Sequence, residues 1–432
     1  MGRGVSEGQR SQRQPARRLA LFAAGDFGFN LLWQGVSLYL LFYQTEVLGL
    51  PLALAAAAFA AASVWDGVAS FAIGLLLDRR GSGEVYRRVL LWGAAPLGLA
   101  FVLAWLPPPL AGIAGIAWVL AGQLLFRTLY AAVNLAYVAL SARVSADSRD
   151  RALVAGLRML AGTLAAMAVA LGTAPLGYLP AAIAAAGLAS GVVALVGWRF
   201  VAAPLPPAPP PPTLGAALAG ITRNRAFVTL AAAMAAMIVA TGLTGASVLY
   251  YFKYALGDEA GGRLALATMM ATSALAVPLW TALGRRAGAR AAWFWASGLA
   301  LALLAWFIAA GPGTGGTQVF LVAMQVATVG LHFAFWALLP DTVEWGQRNA
   351  GLRLEGTAAG VAVLIQRLAG GLATAVFGGW LAAVDGLGAE GLRATLAALP
   401  FAFLLLGVAA MLANPLRRGA HARAVRELTP SA

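Results

Sequence analysis

The stretch "VAAPLPPAPPPPTL", residues 201–214, lies near the middle of the chain and decides its layout. Prolines this dense cannot form a helix, and they favour an extended, solvated backbone. On both sides of it lie apolar segments of about 20 residues, the length that crosses a hydrocarbon core about 30 Å thick. The stretch therefore predicts a polar linker between two membrane-embedded halves.

The composition excludes a soluble protein. The chain has 432 residues, of which 61% are hydrophobic and 11% are charged, and its mean hydropathy is +0.80. A soluble chain of this length would carry about 25% charged residues. The formal charge of +14 does not indicate nucleic-acid binding, because the basic residues cluster in alternate loops, as they do in membrane proteins. The chain has no cysteine, which excludes disulfides, thiolate metal sites and cysteine nucleophiles. We expect the lipid bilayer as its partner, and no nucleic acid.

Twelve membrane spans follow from the apolar runs, which are separated by proline, glycine and charge. The predicted spans are 19–43, 51–77, 86–106, 110–141, 152–174, 178–201, 226–251, 263–283, 291–311, 317–340, 357–384 and 392–413. The predicted parts are a tail 1–18, a six-helix bundle 19–201, the linker 202–225, a second six-helix bundle 226–413 and a tail 414–432. This layout predicts an all-α membrane protein with the two-bundle major facilitator fold. No internal repeat is evident, so the symmetry rests on layout alone.

The basic residues also predict the orientation. Most basic residues lie in loops on the side of the N-terminus. The opposite side has only three, namely Arg263, Arg393 and Lys253, which is the only lysine. This asymmetry places both termini and the linker in the cytoplasm. The basic N-terminus is not a signal peptide, because the apolar run after it is too long and contains polar residues. We expect a monomeric, multi-pass protein of a bacterial-type inner membrane.

The first span contains a polar stripe. In "GDFGFNLLWQ", residues 25–34, Asp26, Asn30 and Gln34 share one helical face, and Trp33 lies beside it. A charge at the bilayer centre costs at least about 2.5–3.5 kcal/mol, so such residues usually face a cavity or a partner. The stripe predicts a cavity-facing site, and the alternative is hydrogen bonding to a neighbouring helix.

Four further charges lie inside spans. Asp66, in "SVWDGVAS" of span two, would bind Na⁺ or carry a proton, or form a structural pair with an arginine. Arg158 and Arg367 occupy matching spans, five and eleven, of the two halves. Each would pair with Asp66 or Asp26, or bind a substrate hydroxyl or carboxylate. Arg127 lies in span four. For this residue, a purely structural ion pair is an alternative of equal weight to a role in binding the substrate.

Charges also lie at the predicted cytoplasmic ends of spans two and ten. Asp78 and Arg79 belong to "GLLLDRRG", and Asp341 and Glu344 belong to "LLPDTVEWGQRNAGLRLEG". Facing charges of opposite sign would latch one conformation, so we predict a cytoplasmic gate. The alternative is that they are ordinary helix-end caps and orienting charges.

The sequence lacks the motifs of enzymes and ATP-driven pumps. It has no GxxxxGK[ST] loop, no HExxH motif and no metal-ligand cluster. We therefore expect no enzymatic activity and no cofactor. Of the two histidines, His332 lies in a span, where it is either a packed residue or a coupling group.

Five stretches together resemble one known family. They are "GDFGFNLLWQGVSLYLLFYQTEVLGL" (25–50), "VWDGVASFAIGLLLDRRG" (64–81), "YAAVNLAYVALSARVSADSRDRALVAGLRM" (130–159), "YYFKYALGDEA" (250–260) and "LLPDTVEWGQRNAGLRLEG" (338–356). The chain resembles the glycoside–pentoside–hexuronide:cation symporters, the major facilitator family that includes the melibiose carrier. The resemblance implies a small-molecule symporter with a central cavity that works by alternating access.

The resemblance also implies roles for single residues. Asp66 matches a cation-site aspartate, Arg158 a sugar-site arginine, Arg367 a lysine in span eleven and Tyr130 a tyrosine near the sugar. Asn30 and Asn134 stand where the melibiose carrier has two sugar-binding aspartates, the second next to the cation, and His332 stands where it has a cavity tryptophan. Three positions depart from the melibiose carrier. A second cation-site aspartate is Ser70 here, an asparagine is Ala69 and a tryptophan is Val138.

These departures leave a depleted cation site at Asp66 and Ser70, so H⁺ coupling or uniport is favoured over Na⁺. A Na⁺ ion at Asp66 is the only metal that the resemblance implies. The predicted function is symport of a sugar, glycoside or uronide with a cation, with Asp26, Asn30, Trp33, Tyr130, Asn134, Arg158, His332 and Arg367 at the substrate site. Two cavity arginines suit an anionic sugar. The alternatives are a lysolipid symporter of the same fold and a transport-inactive sensor or scaffold.

Overall fold

The computed structural model describes residues 15–80, 83–109, 112–141, 144, 148–200, 214–350, 355–384 and 386–416, and every regular element in these ranges is helical. The α-helices are α1 (Ala16–Gly35), α2 (Leu41–Glu46), α3 (Leu52–Arg80), α4 (Gly83–Trp105), α5 (Gly112–Ser141), α6 (Ser148–Leu176), α7 (Tyr178–Arg199), α8 (Leu214–Arg223), α9 (Arg225–Tyr250), α10 (Glu259–Ala287), α11 (Ala289–Ala310), α12 (Thr314–Ala350), α13 (Glu355–Ala383), α14 (Ala389–Arg393) and α15 (Leu399–Leu412). Three π-helical segments are inserted: π1 (Val36–Leu40), π2 (Tyr251–Ala255) and π3 (Ala394–Ala398).

The helices agree with the twelve predicted spans. Eleven helices among the described residues are long and apolar enough to cross a membrane. The remaining span is 16–46, where α1, π1 and α2 follow one another without a break. Its polar stripe of Asp26, Asn30 and Gln34 lowers its mean hydropathy. The predicted all-α membrane fold is confirmed.

Two predicted boundaries differ from the structure. The helix α12 continues through Pro340 to Ala350, ten residues beyond the predicted end of span ten, so Asp341 and Glu344 lie within this helix. A proline removes one backbone hydrogen bond, but neighbouring helices allow a membrane helix to continue past it. The last part of the predicted linker forms the short helix α8, whereas the proline-rich residues 201–213 and most of both tails lie outside the described residues.

The described residues fall into two internally packed units. Unit 1 contains the described parts of 1–37, 69–110 and 117–208. Unit 2 contains those of 38–68, 111–116 and 209–432. Spans one and two are thus each divided, within π1 and within α3. The division into bundles 19–201 and 226–413 stays a prediction.

Small residues let helices approach closely within unit 1. The helix α1 packs against α6 and α7, and α4 packs against α7. A β-carbon at Gly98 of α4 would lie 2.2 Å from Ser190 Oγ of α7, and one at Gly28 of α1 would lie 3.2 Å from the Ala189 carbonyl oxygen. Such contacts are the usual means of helix association in lipid, where burial of apolar area gives no advantage.

Unit 2 uses the same kind of contact between α3 and α13. A β-carbon at Gly378 would lie 2.3 Å from Ala56 Cβ, and one at Gly371 would lie 2.9 Å from Ser63 Cβ. These four positions form the α3–α13 seam, along which backbones meet with almost no side chain between them. The helix α9 packs against α13 and α15 on another face.

Two helix ends, 208 positions apart in sequence, share one backbone pattern. At the first, Leu48 N donates to Tyr43 O at 3.0 Å. At the second, Leu256 N donates to Tyr251 O at 3.1 Å. Each end also carries a bond six residues back, from residue 50 to residue 44 at 3.0 Å and from residue 258 to residue 252 at 2.8 Å.

A glycine closes each of these ends in the left-handed conformation. The φ angles are 68° at Gly49 and 67° at Gly257, values that glycine adopts without the penalty of a β-carbon. The segments "YQTEVLGL" (43–50) and "YFKYALGD" (251–258) are therefore a short internal repeat, at the ends of spans one and seven. It supports the predicted relation between the two halves of the chain.

Candidate functional site

An ion pair between α1 and α6 forms the centre of the candidate site in unit 1. Arg158 Nε donates to Asp26 Oδ2 at 2.7 Å, and Arg158 Nη2 donates to Asp26 Oδ1 at 3.2 Å. Two parallel bonds between a guanidinium and a carboxylate form the strongest and most directional geometry for such a pair. The side chains of Arg158 and Asp26 are 25% and 15% exposed, so the pair is only partly buried.

Tyr137 of α5 supports this pair from one side. The Arg158 guanidinium lies 5.1 Å from the centre of the Tyr137 ring, within the range of cation–π attraction. The Tyr137 hydroxyl donates to the Phe22 carbonyl oxygen at 2.8 Å. Gly25 gives the ring its space, because a β-carbon there would lie 2.6 Å from Tyr137 Cε2. Sequence reasoning missed Tyr137, although it lies seven residues after Tyr130 on the same helical face.

Asn30 extends the stripe by one turn. Its Nδ2 donates to the carbonyl oxygen of Asp26 at 2.9 Å. A β-carbon at Gly162 of α6 would lie 3.1 Å from the same Nδ2, so the amide lies directly against that helix. Asp26 and Asn30 of the predicted stripe thus face α6, and the structure brings together three predicted site residues, Asp26, Asn30 and Arg158.

An aromatic cluster follows on α1 and α5. The rings of Trp33 and Tyr130 are 5.3 Å apart, and Phe29 meets Tyr130 edge-on at 5.9 Å. The buried Arg127 guanidinium lies 5.7 Å from the Trp33 ring centre. Asn134 is half-buried on α5, one turn after Tyr130. The Trp33 and Tyr130 rings, inclined at 38°, therefore belong to an aromatic cluster one to two turns from the Asp26–Arg158 pair.

A second ion pair lies in unit 2, between α3 and α13. Arg367 Nε is 3.1 Å from Oδ2 of Asp66, whose side chain is fully buried. Gly67 permits the approach of α13, because a β-carbon there would lie 2.7 Å from Leu364 Cδ1 and 3.5 Å from Arg367 Cβ. Of the partners that the sequence left open, the structure selects Asp26 for Arg158 and Asp66 for Arg367. Both predicted substrate-site arginines are thus engaged by carboxylates.

The other predicted residues are placed separately. His332 Nδ1 lies 2.9 Å from the Thr328 carbonyl oxygen of its own helix, as a packed histidine would. Ser70 is half-buried one turn after Asp66 on α3. Among the residues that the structure describes, no group of three or more His, Asp or Glu side chains could hold a metal ion. A Na⁺ site at Asp66 stays a prediction.

The predicted cytoplasmic gate is only partly visible. The side chains of Asp78 and Arg79 lie outside the described residues. Glu344 is 3.9 Å from Arg348, one turn away on α12, and both side chains are largely exposed. A gate at these positions stays a prediction.

Paired charges and aromatic rings inside membrane-spanning helices define a class of protein. Because charges are costly in lipid, their presence in a helical bundle marks a path for a solute or an ion, so the fold and site are those of a membrane transport protein. A family model described as "MFS/sugar transport protein" matches residues 21–418. The chain belongs to this family.

Known proteins similar to this chain are transporters. The inner membrane symporter YicJ of Escherichia coli is 26% identical over 395 residues, covering 84% of this chain and 82% of the relative. A putative sulfoquinovose importer of Salmonella typhimurium is 26% identical over 365 residues, covering 79% and 75%. A glucuronide carrier protein homolog of E. coli is 24% identical over 366 residues, covering 80% and 79%.

The fold also matches a solved transporter. A D323A mutant of the nucleoside transporter NupG superimposes with a TM-score of 0.69 at 15% identity, covering 92% of this chain and 99% of that protein. The predicted resemblance to glycoside–pentoside–hexuronide symporters, the major facilitator fold and the absence of an enzymatic function are therefore confirmed. The chain is a multi-pass membrane transporter.

Proposed function

We propose that this protein is a symporter that moves a sugar, glycoside or uronide together with a proton, by alternating access. One observation carries the proposal: a bidentate Asp26–Arg158 pair lies partly exposed between two membrane-spanning helices. The names of relatives support the solute class, since they include a glycoside/cation symporter, a sulfoquinovose importer and a glucuronide carrier homolog.

The Asp26–Arg158 pair suits a solute rich in hydroxyl groups. A hydroxyl both donates and accepts, so one ring edge can donate to the Asp26 carboxylate while accepting from the Arg158 guanidinium. The net charge of the pair is zero, which favours a hydroxyl-bearing ring over a simple anion. Trp33 and Tyr130 offer aromatic faces for the apolar side of the same ring. The carboxylate of a uronide would bind by accepting one of the two Arg158 hydrogen bonds that Asp26 otherwise accepts.

Asp66 is the coupling group in this proposal. Its carboxylate is buried beside the positive charge of Arg367, and the neighbouring Ser70 supplies no second carboxylate. A proton can neutralise Asp66 without needing a shell of oxygen ligands, whereas Na⁺ needs several. Protonation would release Arg367 and loosen the contact of α13 with α3, which links ion binding to helix motion. We therefore favour H⁺ over Na⁺.

A lysolipid substrate is the alternative within transport. Unit 1 contains an apolar cavity lined by residues such as Leu31, Phe101 and Leu188. Its volume of about 210 Å³ is below the roughly 300–1,000 Å³ of most small-molecule sites. This cavity therefore gives the lysolipid alternative no support, and the proposal rests on the polar pair as the solute site.

Location and sidedness complete the proposal. The excess of basic residues supports cytoplasmic termini in a bacterial-type inner membrane, and the name of one relative includes "inner membrane". The protein functions as a monomer in this proposal, with all site residues in one chain.

Uptake by proteoliposomes tests the proposed function. A thermal-shift screen of the purified protein against sugars, glycosides, uronides and lysolipids first selects a solute, because binding to the folded state raises its stability. We expect the selected sugar-type solute to accumulate under an inward proton gradient and not under a Na⁺ gradient alone. Failure of any solute to accumulate under either gradient would overturn the symporter proposal. Accumulation of lysolipids alone would favour the alternative.

A further inference from the structure

A buried carboxylate joins the ends of spans one and seven within unit 2. Lys253 Nζ and the Tyr254 hydroxyl both donate to Oε2 of Glu46, at the last residue of α2. The Glu46 side chain is 8% exposed, and that of Lys253 is 30% exposed. Neither Glu46 nor Tyr254 belongs to the candidate solute site, and the contact joins two segments more than 200 residues apart in sequence.

Aromatic side chains fill the space beneath this carboxylate. Thr45 Oγ1 and the Tyr250 hydroxyl share a hydrogen bond of 2.7 Å. The Tyr250 ring lies 5.2 Å from Phe42 and 5.3 Å from Phe377. The contact is therefore a polar cap on a packed aromatic layer, which connects α2, α9 and α13.

The cap lies where the helices can rearrange. The segment π1 directly precedes α2, and π2 contains both Lys253 and Tyr254. A π-helical turn interrupts the regular backbone ladder, and such turns are frequent at functional sites. Both helix ends close in the short repeat described above, so the cap joins equivalent positions of the two halves.

The α3–α13 seam lies at the same end of the structure as the cap. The helix α3 begins at Leu52, six residues after Glu46, and its first half carries Ala56 and Ser63 against Gly378 and Gly371. Because a β-carbon at either glycine would come within 3 Å of the facing side chain, the first half of α3 and α13 are tightly packed at these positions. The cap and the seam together close this end of unit 2.

We propose that Glu46, Lys253 and Tyr254 form an outer latch, which holds the non-cytoplasmic end closed and breaks when it opens. A carboxylate buried this deeply is stable only when paired and hydrogen-bonded. Once water enters, both charges regain hydration and the pair is worth little. The ion pair is thus strong when water is excluded and weak when water reaches it. The closed and open arrangements are therefore two distinct states. This inference rests on the proposed alternating access.

A single cysteine can report opening, because the chain contains no cysteine of its own. Ser63 is buried in the α3–α13 seam, and Ser63→Cys changes little in size. Proteoliposomes with the outer face exposed are treated with a membrane-impermeant maleimide, and the labelling rate is measured. We expect slow labelling with the native latch. Glu46→Gln should raise the rate about tenfold, the effect of losing one charge-assisted hydrogen bond.

Two further variants make the test specific. Lys253→Met removes the other charge and should accelerate labelling to a similar degree, which keeps the test decisive if Glu46→Gln does not fold. Glu259→Gln is the matched control, because Glu259 is 42% exposed and pairs with Arg263 one turn away on its own helix. The control should leave the labelling rate unchanged.

Labelling requires no solute, so its outcome is separate from that of the transport assay. Labelling at the native rate in both Glu46→Gln and Lys253→Met overturns the latch. Accelerated labelling in a protein that accumulates no solute supports the latch and overturns the proposed symport. Equal acceleration by Glu259→Gln also overturns the latch, because any lost surface charge would then suffice.

Discussion

Arg158 donates two hydrogen bonds, of 2.7 and 3.2 Å, to the carboxylate of Asp26, which lies 132 positions earlier in the sequence. The arrangement sets both the position and the charge of the candidate solute site. A guanidinium that is already neutralised does not attract an anion from a distance, and it presents N–H groups at fixed angles. If this is the solute site, we expect its specificity to depend on the geometry of hydroxyl groups more than on the net charge of the solute.

Arg158→Lys should weaken solute binding by about tenfold, because an ammonium cannot reproduce two parallel bonds to one carboxylate. The apparent melting temperature should fall as well. Binding is measured by thermal shift against the solute found in the screen. Arg88→Lys is the matched control, since Arg88 is 69% exposed and pairs with Glu84 one turn away on α4. Equal solute affinity in Arg158→Lys and the wild type would contradict a role in solute binding for the two-bond contact between Arg158 and Asp26.

The sequence predicted the charged residues of both pairs, but not the partners. Asp26, Asp66, Arg158 and Arg367 were recognisable because a charge inside an apolar run is costly and therefore rare. Which arginine meets which carboxylate depends on how helices distant in sequence pack. Gly67 and Gly162, where side chains of the facing helix lie directly against the glycine, show that packing, yet they are two among 51 glycines. Tyr137 was missed for the same reason, because an aromatic residue in a span is ordinary until its hydroxyl has a partner.

Asp66→Asn should abolish concentrative uptake while leaving solute exchange partly intact. The amide cannot take up and release a proton, so the gradient no longer drives accumulation, but the solute site in unit 1 is untouched. Accumulation under a proton gradient and counterflow in preloaded vesicles are compared in the same preparation. Unchanged accumulation in the variant would show that Asp66 is not the coupling group.

Residues that close the structure were less visible in the sequence than residues that bind. Glu46 lies at the end of an apolar run, where a charge needs no explanation, and its partner Lys253 is the only lysine, read from sequence only as an orienting charge. The seam is made of alanine, serine and glycine, which the sequence contains in large numbers. Their importance comes from the contacts across the helix interface.

Gly378→Val should disturb the α3–α13 seam. A β-carbon at this position would lie 2.3 Å from Ala56 Cβ, whereas one at the adjacent Gly379 would meet nothing within 4 Å. Overpacking of this kind costs about 1–3 kcal/mol, and separation of α3 from α13 is its simplest relief. The variant should therefore label faster at Ser63→Cys. Gly379→Val is the matched control and should label at the native rate, so equal rates in the two variants would count against the seam.

Tyr137→Phe should lower solute affinity less than Arg158→Lys does. The ring that packs against the Arg158 guanidinium is kept, whereas the bond from the hydroxyl to the Phe22 carbonyl is lost. A hydrogen bond of this kind contributes about 0.5–1.5 kcal/mol to the free energy of unfolding. Tyr137→Leu removes the ring as well, and should free Arg158 to leave Asp26. Solute affinity is compared among the three variants by thermal shift. If Tyr137→Leu binds the solute as tightly as Tyr137→Phe does, the ring does not position Arg158. In that case Asp26 alone orients the Arg158 guanidinium.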